Sequence, residues 1–172
     1  GISWTSRTSG TTVTLYRVTF GNNTFVTVGV NGTILTSSDG TTWTSRISGT
    51  SNYLDGVTYS NSIFMTVGGS GTILTSSDGT TWTSRTSGTT QDISGLTYGN
   101  STFVSVGTDG TIITSSDGIS WTSRTSGTSN SLQGSTYVNS TFVTVGGDGT
   151  ILTSSDGISW TSRTSGTSNS LE

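Results

Sequence analysis

The sequence predicts an all-β protein assembled from repeated four-stranded antiparallel units, and three observations carry that prediction. The first is a period. Tryptophan falls at 4, 43, 82, 121 and 160, always 39 residues apart, and self-similarity at a fixed spacing of roughly 20–50 residues marks a repeat architecture. The second is turn chemistry. Each period carries Asn31-Gly32, Ser70-Gly71, Asp109-Gly110 or Asp148-Gly149, and then Asp39-Gly40, Asp78-Gly79, Asp117-Gly118 or Asp156-Gly157. Asx-Gly pairs between β-prone runs are strong hairpin signals, because the tight turns that suit twisted strands need positive φ. The third is composition: Val, Ile, Phe, Tyr and Trp recur at fixed phase in a Thr/Ser/Gly background, as short strands between turns require. No stretch shows helical periodicity.

In the second repeat, Val57-Thr58-Tyr59 is a first strand and Ser60-Asn61-Ser62 a turn. Asn recurs there as Asn22, Asn61, Asn100 and Asn139, and its side chain suits left-handed backbone. Phe64-Met65-Thr66-Val67-Gly68 is a second strand, Thr72-Ile73-Leu74-Thr75 a third, and the segment carrying Trp82 and Arg85 a fourth. Ser87-Gly88-Thr89-Thr90 connects to the next repeat. A four-stranded unit of this length, repeated, is one blade of a β-propeller. A β-solenoid is the rival, but recurring hairpin turns do not belong to its stacked coils. The second strands lack apolar/polar alternation, which fits a sheet covered on both faces by neighbouring blades.

The chain is expected to form a single propeller unit of four blades, with repeats at about 12–50, 51–89, 90–128 and 129–167, and an overhanging fourth strand at 1–11. Residues 1–11 are identical to 157–167. Such near-identity implies recent duplication, or a natural or engineered piece of a larger ring.

Composition excludes several functions. There is no His, Cys, Lys or Pro, and the net charge is −3. Disulfides and the usual nucleophile–base pairs are therefore ruled out. Nucleic-acid binding is not expected without clustered cations. No apolar run reaches membrane-spanning length and no signal peptide is visible. No cofactor is expected.

The motif Ser37-Ser38-Asp39-Gly40-Thr41-Thr42-Trp43 returns at Ser76, Ser115 and Ser154. It resembles the Asp-box, or BNR repeat, of sialidases and related propellers, with one residue fewer between Asp and Gly. The wider repeat, from Leu132-Gln133-Gly134 through Phe142–Gly146 to Gly149–Gly157, is similar to the photosystem II stability and assembly factor type of propeller, over the whole chain. The resemblance implies structural roles for Asp39, Asp78, Asp117 and Asp156, whose carboxylates accept N–H bonds within their own turns. It also implies that Trp43, Trp82, Trp121 and Trp160 pack beneath those turns. It implies no catalysis.

Other readings of these residues are weaker. Glycoside hydrolysis needs paired carboxylates, and the only Glu is Glu172. A sialidase needs converging arginines, whereas Arg7, Arg46, Arg85, Arg124 and Arg163 share one repeat phase and are scattered by it; they are expected to brace strand four, in one version by pairing with the box Asp. Asp109 with Asp117, and Asp148 with Asp156, read as turn residues, since calcium wants six or more convergent oxygens. Asn22, Asn31, Asn100 and Asn139 begin Asn-x-Thr matches in turns, where both residue types belong anyway. The functional expectation is a non-enzymatic scaffold or protein-interaction module whose first partner is itself, as a homodimer forming an eight-bladed ring. A closed four-bladed monomer is the competing assembly. The alternative function is a multivalent lectin with weak glycan sites between blades.

Overall fold

The aromatic and β-branched runs fold into sixteen short strands in a computed structural model that describes residues 3–171. Blade one holds β1 (Leu15–Gly21), β2 (Thr24–Gly29), β3 (Ile34–Ser37) and β4 (Thr44–Arg46). Blade two holds β5 (Leu54–Ser60), β6 (Ile63–Gly68), β7 (Ile73–Ser76) and β8 (Thr83–Arg85). Blade three holds β9 (Ile93–Gly99), β10 (Thr102–Gly107), β11 (Ile112–Ser115) and β12 (Thr122–Arg124). Blade four holds β13 (Leu132–Val138), β14 (Thr141–Gly146), β15 (Ile151–Ser154) and β16 (Thr161–Arg163). Every blade is an antiparallel meander in sequence order. The first strands lie innermost: β1 packs on β5, β5 on β9 and β9 on β13.

Turn chemistry accounts for the meander. Asn31, Ser70, Asp109 and Asp148 have φ of 52–56°, and the glycines that follow them have φ of 65–67°. Two successive left-handed residues make the turn whose twist matches the flanking strands. The turn between first and second strands does the same without glycine, as at Asn61 (φ 51°) and Ser62 (φ 62°). A bulge near the start of each first strand sets one residue outside the ladder, as between Leu54 and Gly56. The carbonyl just past the bulge is used by a side chain: Thr66 Oγ1 donates to Gly56 O at 2.8 Å, and Thr27, Ser105 and Thr144 make the same bond. Those hydroxyls sit in the interior of the second strands and are satisfied there.

The core lies between blades, not within them. Val26, Val28 and Ile34 of blade one meet Leu54, Phe64 and Leu74 of blade two. Met65, Val67 and Ile73 meet Ile93, Phe103 and Ile113, and Val104, Val106 and Ile112 meet Leu132, Phe142 and Leu152. Each seam thus takes three residues from the second and third strands of one blade and three from the first, second and third strands of the next.

Four blades make three such seams, and half a seam is left at each end. Leu15, Phe25 and Leu35 stand at the phase of Leu54, Phe64 and Leu74, while Val143, Val145 and Ile151 stand at the phase of Val26, Val28 and Ile34. Leu15, Phe25, Val143, Val145 and Ile151 are only half-buried, whereas their internal counterparts are fully buried. Val18, Phe20 and Val138 are more than half exposed. The inner strands β1 and β13 do not pack on each other as successive first strands do.

The segment expected to overhang as a fourth strand, 1–11, pairs with none of the four sheets over its described residues. Residues 3–9 belong to no strand, and Trp4 is 93% exposed. Gly1 and Ile2 lie outside the described residues.

Candidate functional site

The sequence singles out the turn between third and fourth strands, and its local chemistry is the same in all four blades. In blade three, Asp117 Oδ1 accepts the Ile119 and Ser120 N–H groups at 2.8 Å each. Ser115 Oγ donates to that carboxylate at 2.9 Å and accepts the Gly118 N–H at 2.8 Å. Asp39, Asp78 and Asp156 accept the same pairs of N–H groups in their own turns. Backbone bonds from Ser120 and then Ile119, followed by the Ser115 hydroxyl, hold the Asp117 carboxyl at about 2, below its usual 3.8. The same backbone bonds, led by Ser159, hold Asp156 low. These carboxylates are spent on their own turns and face solvent one per blade, so they form no converging pair.

The tryptophans beside these turns are half-buried. Trp82 packs on the seam of blades one and two, Trp121 on that of two and three, and Trp160 on that of three and four. Trp82 and Trp160 donate Nε1–H to Gly79 O and Gly157 O at 3.1 Å, while Trp121 Nε1 is buried without a partner. Trp43, beside the open face of blade one, rests on Phe25 with ring centroids 6.4 Å apart. Trp4, the fifth member, has no such seat.

The arginines brace strand four, but through threonine and not through the box Asp. Arg46, Arg85 and Arg124 donate Nε–H to Thr36, Thr75 and Thr114 at 2.8 Å, and Arg163 to Thr153 at 2.9 Å. These threonines lie on the third strand, and the fixed cross-strand register spreads the guanidinium groups one to a blade.

A shallow polar groove recurs beside the connectors. In blade two it measures about 770 Å³ and is lined by Asn52, Thr72, Arg85, Ser87 and Thr89 among others. Grooves of about 560 and 680 Å³ hold Thr111, Arg124 and Ser126, and Asn130, Thr150 and Arg163. No tryptophan lines them, so they lack the flat apolar platform on which a sugar stacks. Among the described residues, no group of three or more His, Cys, Asp or Glu could hold a metal.

One set of residues escaped the motif reading. The repeats differ most where the connector enters the first strand: Thr14-Leu15-Tyr16-Arg17, Tyr53-Leu54-Asp55-Gly56, Asp92-Ile93-Ser94-Gly95 and Ser131-Leu132-Gln133-Gly134. These bring unlike groups together on one rim. Tyr16 and Tyr53 meet edge to face at 6.4 Å, and Asp92 accepts the Ser70 N–H at 2.7 Å across the seam. Burial, then the Asp92 carboxylate, push the Tyr53 phenol up to about 12. Burial raises Asp55 against the opposing pull of Arg17. The signal that could have found them is the local loss of repeat identity.

No protein-family model matches the sequence, and no curated protein matches it. Several solved structures do match in shape. A YCF48 bound to a D1 peptide aligns with a TM-score of 0.64 at 19% identity, over 86% of this chain and 51% of that one. YCF48 from Cyanidioschyzon merolae aligns at 0.67 and 20%, over 88% and 56%. The native arabinanase Arb43A of Bacillus subtilis aligns at 0.51 and 14%, over 92% and 80%. The chain spans about half the length of the YCF48 structures it matches. With the four antiparallel sheets and their seams, these likenesses show the fold to be that of a β-propeller.

Proposed function

We propose that the chain is a non-enzymatic β-propeller scaffold or protein-interaction module whose blades are Asp-box repeats, and that two copies join head to tail into an eight-bladed ring. The observation that carries this is the pair of open end faces. Val143, Val145 and Ile151 on one end and Leu15 and Phe25 on the other are half-buried and, with the already buried Leu35, stand at the phases of the two halves of an internal seam. At internal seams the Tyr59 and Tyr137 rings lie where a Cβ on Gly21 or Gly99 would collide with them. At the end faces the same phases carry Phe20 and Val138, so a seam between chains has to seat the Phe20 ring beside a branched side chain and not over a glycine. Contiguous apolar sheet faces of this kind are unstable in water, and a two-fold closed ring covers both. That one of the YCF48 neighbours is bound to a peptide supports protein or peptide partners for this chain, as does the varied rim around Tyr53 and Asp92.

Light scattering after size exclusion tests the assembly: the expected mass is two chains of 17.7 kDa, and a one-chain mass at micromolar concentration sinks it. A second reading, a multivalent lectin, draws support from the recurring polar grooves. A glycan array separates the two, since absence of binding at millimolar sugar removes the lectin.

A further inference from the structure

We infer that residues 3–7 of one copy are a donated strand, which replaces β16 in the last blade of the copy ahead of it. The inference rests on the head-to-tail reading above.

Residues 1–11 and 157–167 are the same sequence, so either can pair with β15 in the same register. The first of them is already aimed. Behind β1, Ser9 Oγ donates to Thr11 O at 3.1 Å, the Val13 N–H bonds Thr11 Oγ1 at 3.3 Å, and Gly10 has φ 78°. The internal connectors hold the same shape: Ser48 Oγ donates to Thr50 O at 3.2 Å, the Asn52 N–H bonds Thr50 Oγ1 at 3.0 Å, and Gly49 has φ 77°. Followed backward, every internal connector leads into strand four of the preceding blade. Followed backward from β1, it leads to residues 3–7, which belong to no strand and leave Trp4 exposed.

The receiving site holds β16 by the same three ladder pairs as the other fourth strands but leaves it more open to water. All three residues of β16 are exposed, unlike Arg46, Arg85 and Arg124 at the ends of the other fourth strands. Beyond it, Leu171 stands one repeat phase past Leu132, with its N–H on Gly146 O at 3.0 Å. That is the position Leu15 of an arriving copy must take, and Leu15 is locked in β1 against Gly29. Docking of β1 therefore evicts residues 164–171, which form no strand. The vacated path fits residues 8–14, and these lead into 3–7. Arg7 then remakes the Arg163–Thr153 bond, and Trp4 takes the place of Trp160 on Phe142, where the ring centroids are 6.4 Å apart. The exchange loses the Asp156 turn bonds, whose N–H groups return to water.

The chain has no cysteine, so an engineered pair reports the exchange directly. Thr153 pairs with Thr161 in the ladder, and Thr5 is the counterpart of Thr161; opposed residues in antiparallel strands lie about 4.5–5.5 Å apart at Cα, within disulfide reach. Equal amounts of Thr5→Cys and Thr153→Cys chains are mixed, unfolded, refolded together and oxidised. The expected result is a covalent heterodimer on a non-reducing gel. In parallel, Thr153→Cys/Thr161→Cys is expected to close poorly within one chain. Full closure of that internal pair with no heterodimer overturns strand donation. Light scattering of the reduced mixture tells the two failures apart. A two-chain mass without the 5–153 bridge leaves the ring standing and removes the exchange, whereas a one-chain mass removes both. Melting of each reduced variant, compared with the parent, verifies that it has folded.

Discussion

Phe64 and Phe25 occupy the same repeat phase, and substituting each by alanine reads the end faces against an internal standard. Phe64 is fully buried in the seam of blades one and two, among Val26, Val28, Ile34, Leu54 and Leu74. Phe64→Ala removes the ring and leaves a cavity in a packed seam, a change that costs about 3–5 kcal/mol. For a chain of this size that is a fall in Tm of roughly 6–20 °C. Phe25 touches Phe20 and Trp43, at ring centroid distances of 4.5 and 6.4 Å, but its outer side is open. In a lone chain Phe25→Ala therefore costs well under half as much. In the two-chain ring the same ring is buried against Val143, Val145 and Ile151 of the second copy. Phe25→Ala is then expected to match Phe64→Ala, and its loss to grow on dilution, because folding and association are linked. The assay is denaturant unfolding followed by tryptophan fluorescence, with both variants at two protein concentrations a hundredfold apart. A mild, concentration-independent Phe25→Ala beside a severe Phe64→Ala would refute the seam.

Three further outcomes follow from local chemistry. Asp78→Ala, which strands the Thr80 and Thr81 N–H groups, is expected to cost about 1 kcal/mol, as losing a capping carboxylate does; an unchanged Tm argues against the turn role. The box carboxyls sit below their unfolded values, with Asp117 at about 2 against 3.8, so their contribution is present above pH 4 and lost as pH falls through about 2. Melting across pH 2–5 should show this fall, flattened when all four aspartates are replaced by asparagine. Ser62→Gly relieves a left-handed residue at φ 62° and is expected to stabilise by about 0.5–1 kcal/mol, read as a raised denaturation midpoint.

Much of the propeller could be read from residues that act within one blade. Asn31-Gly32 and its equivalents make a turn whose geometry depends on two consecutive left-handed residues, so the hairpins were legible from the sequence alone. Ser37, Asp39 and Gly40 close their turn with bonds between residues at most three apart, so that motif also needed no partner. The period of 39 set the blade length, and the apolar second strands such as Phe25-Val26-Thr27-Val28 implied a sheet covered on both sides. The bracing arginines were placed on strand four, but their partner was not legible. Arg85 reaches Thr75 ten residues back, and only the register of the third and fourth strands puts them side by side.

What only the tertiary structure decided lies between blades. Identical repeats carry identical local signals, so nothing in them says which copy has a neighbour. Packing alone makes Phe64 core and leaves Phe25 half-open. It gathers Tyr16, Tyr53, Asp55 and Asp92 on one rim, because the entries to successive first strands lie beside one another across the seams. It seats Trp160 and leaves Trp4, in the same sequence, in water, because residues 3–9 join no sheet that would set the indole on a phenylalanine, as Trp160 is set on Phe142.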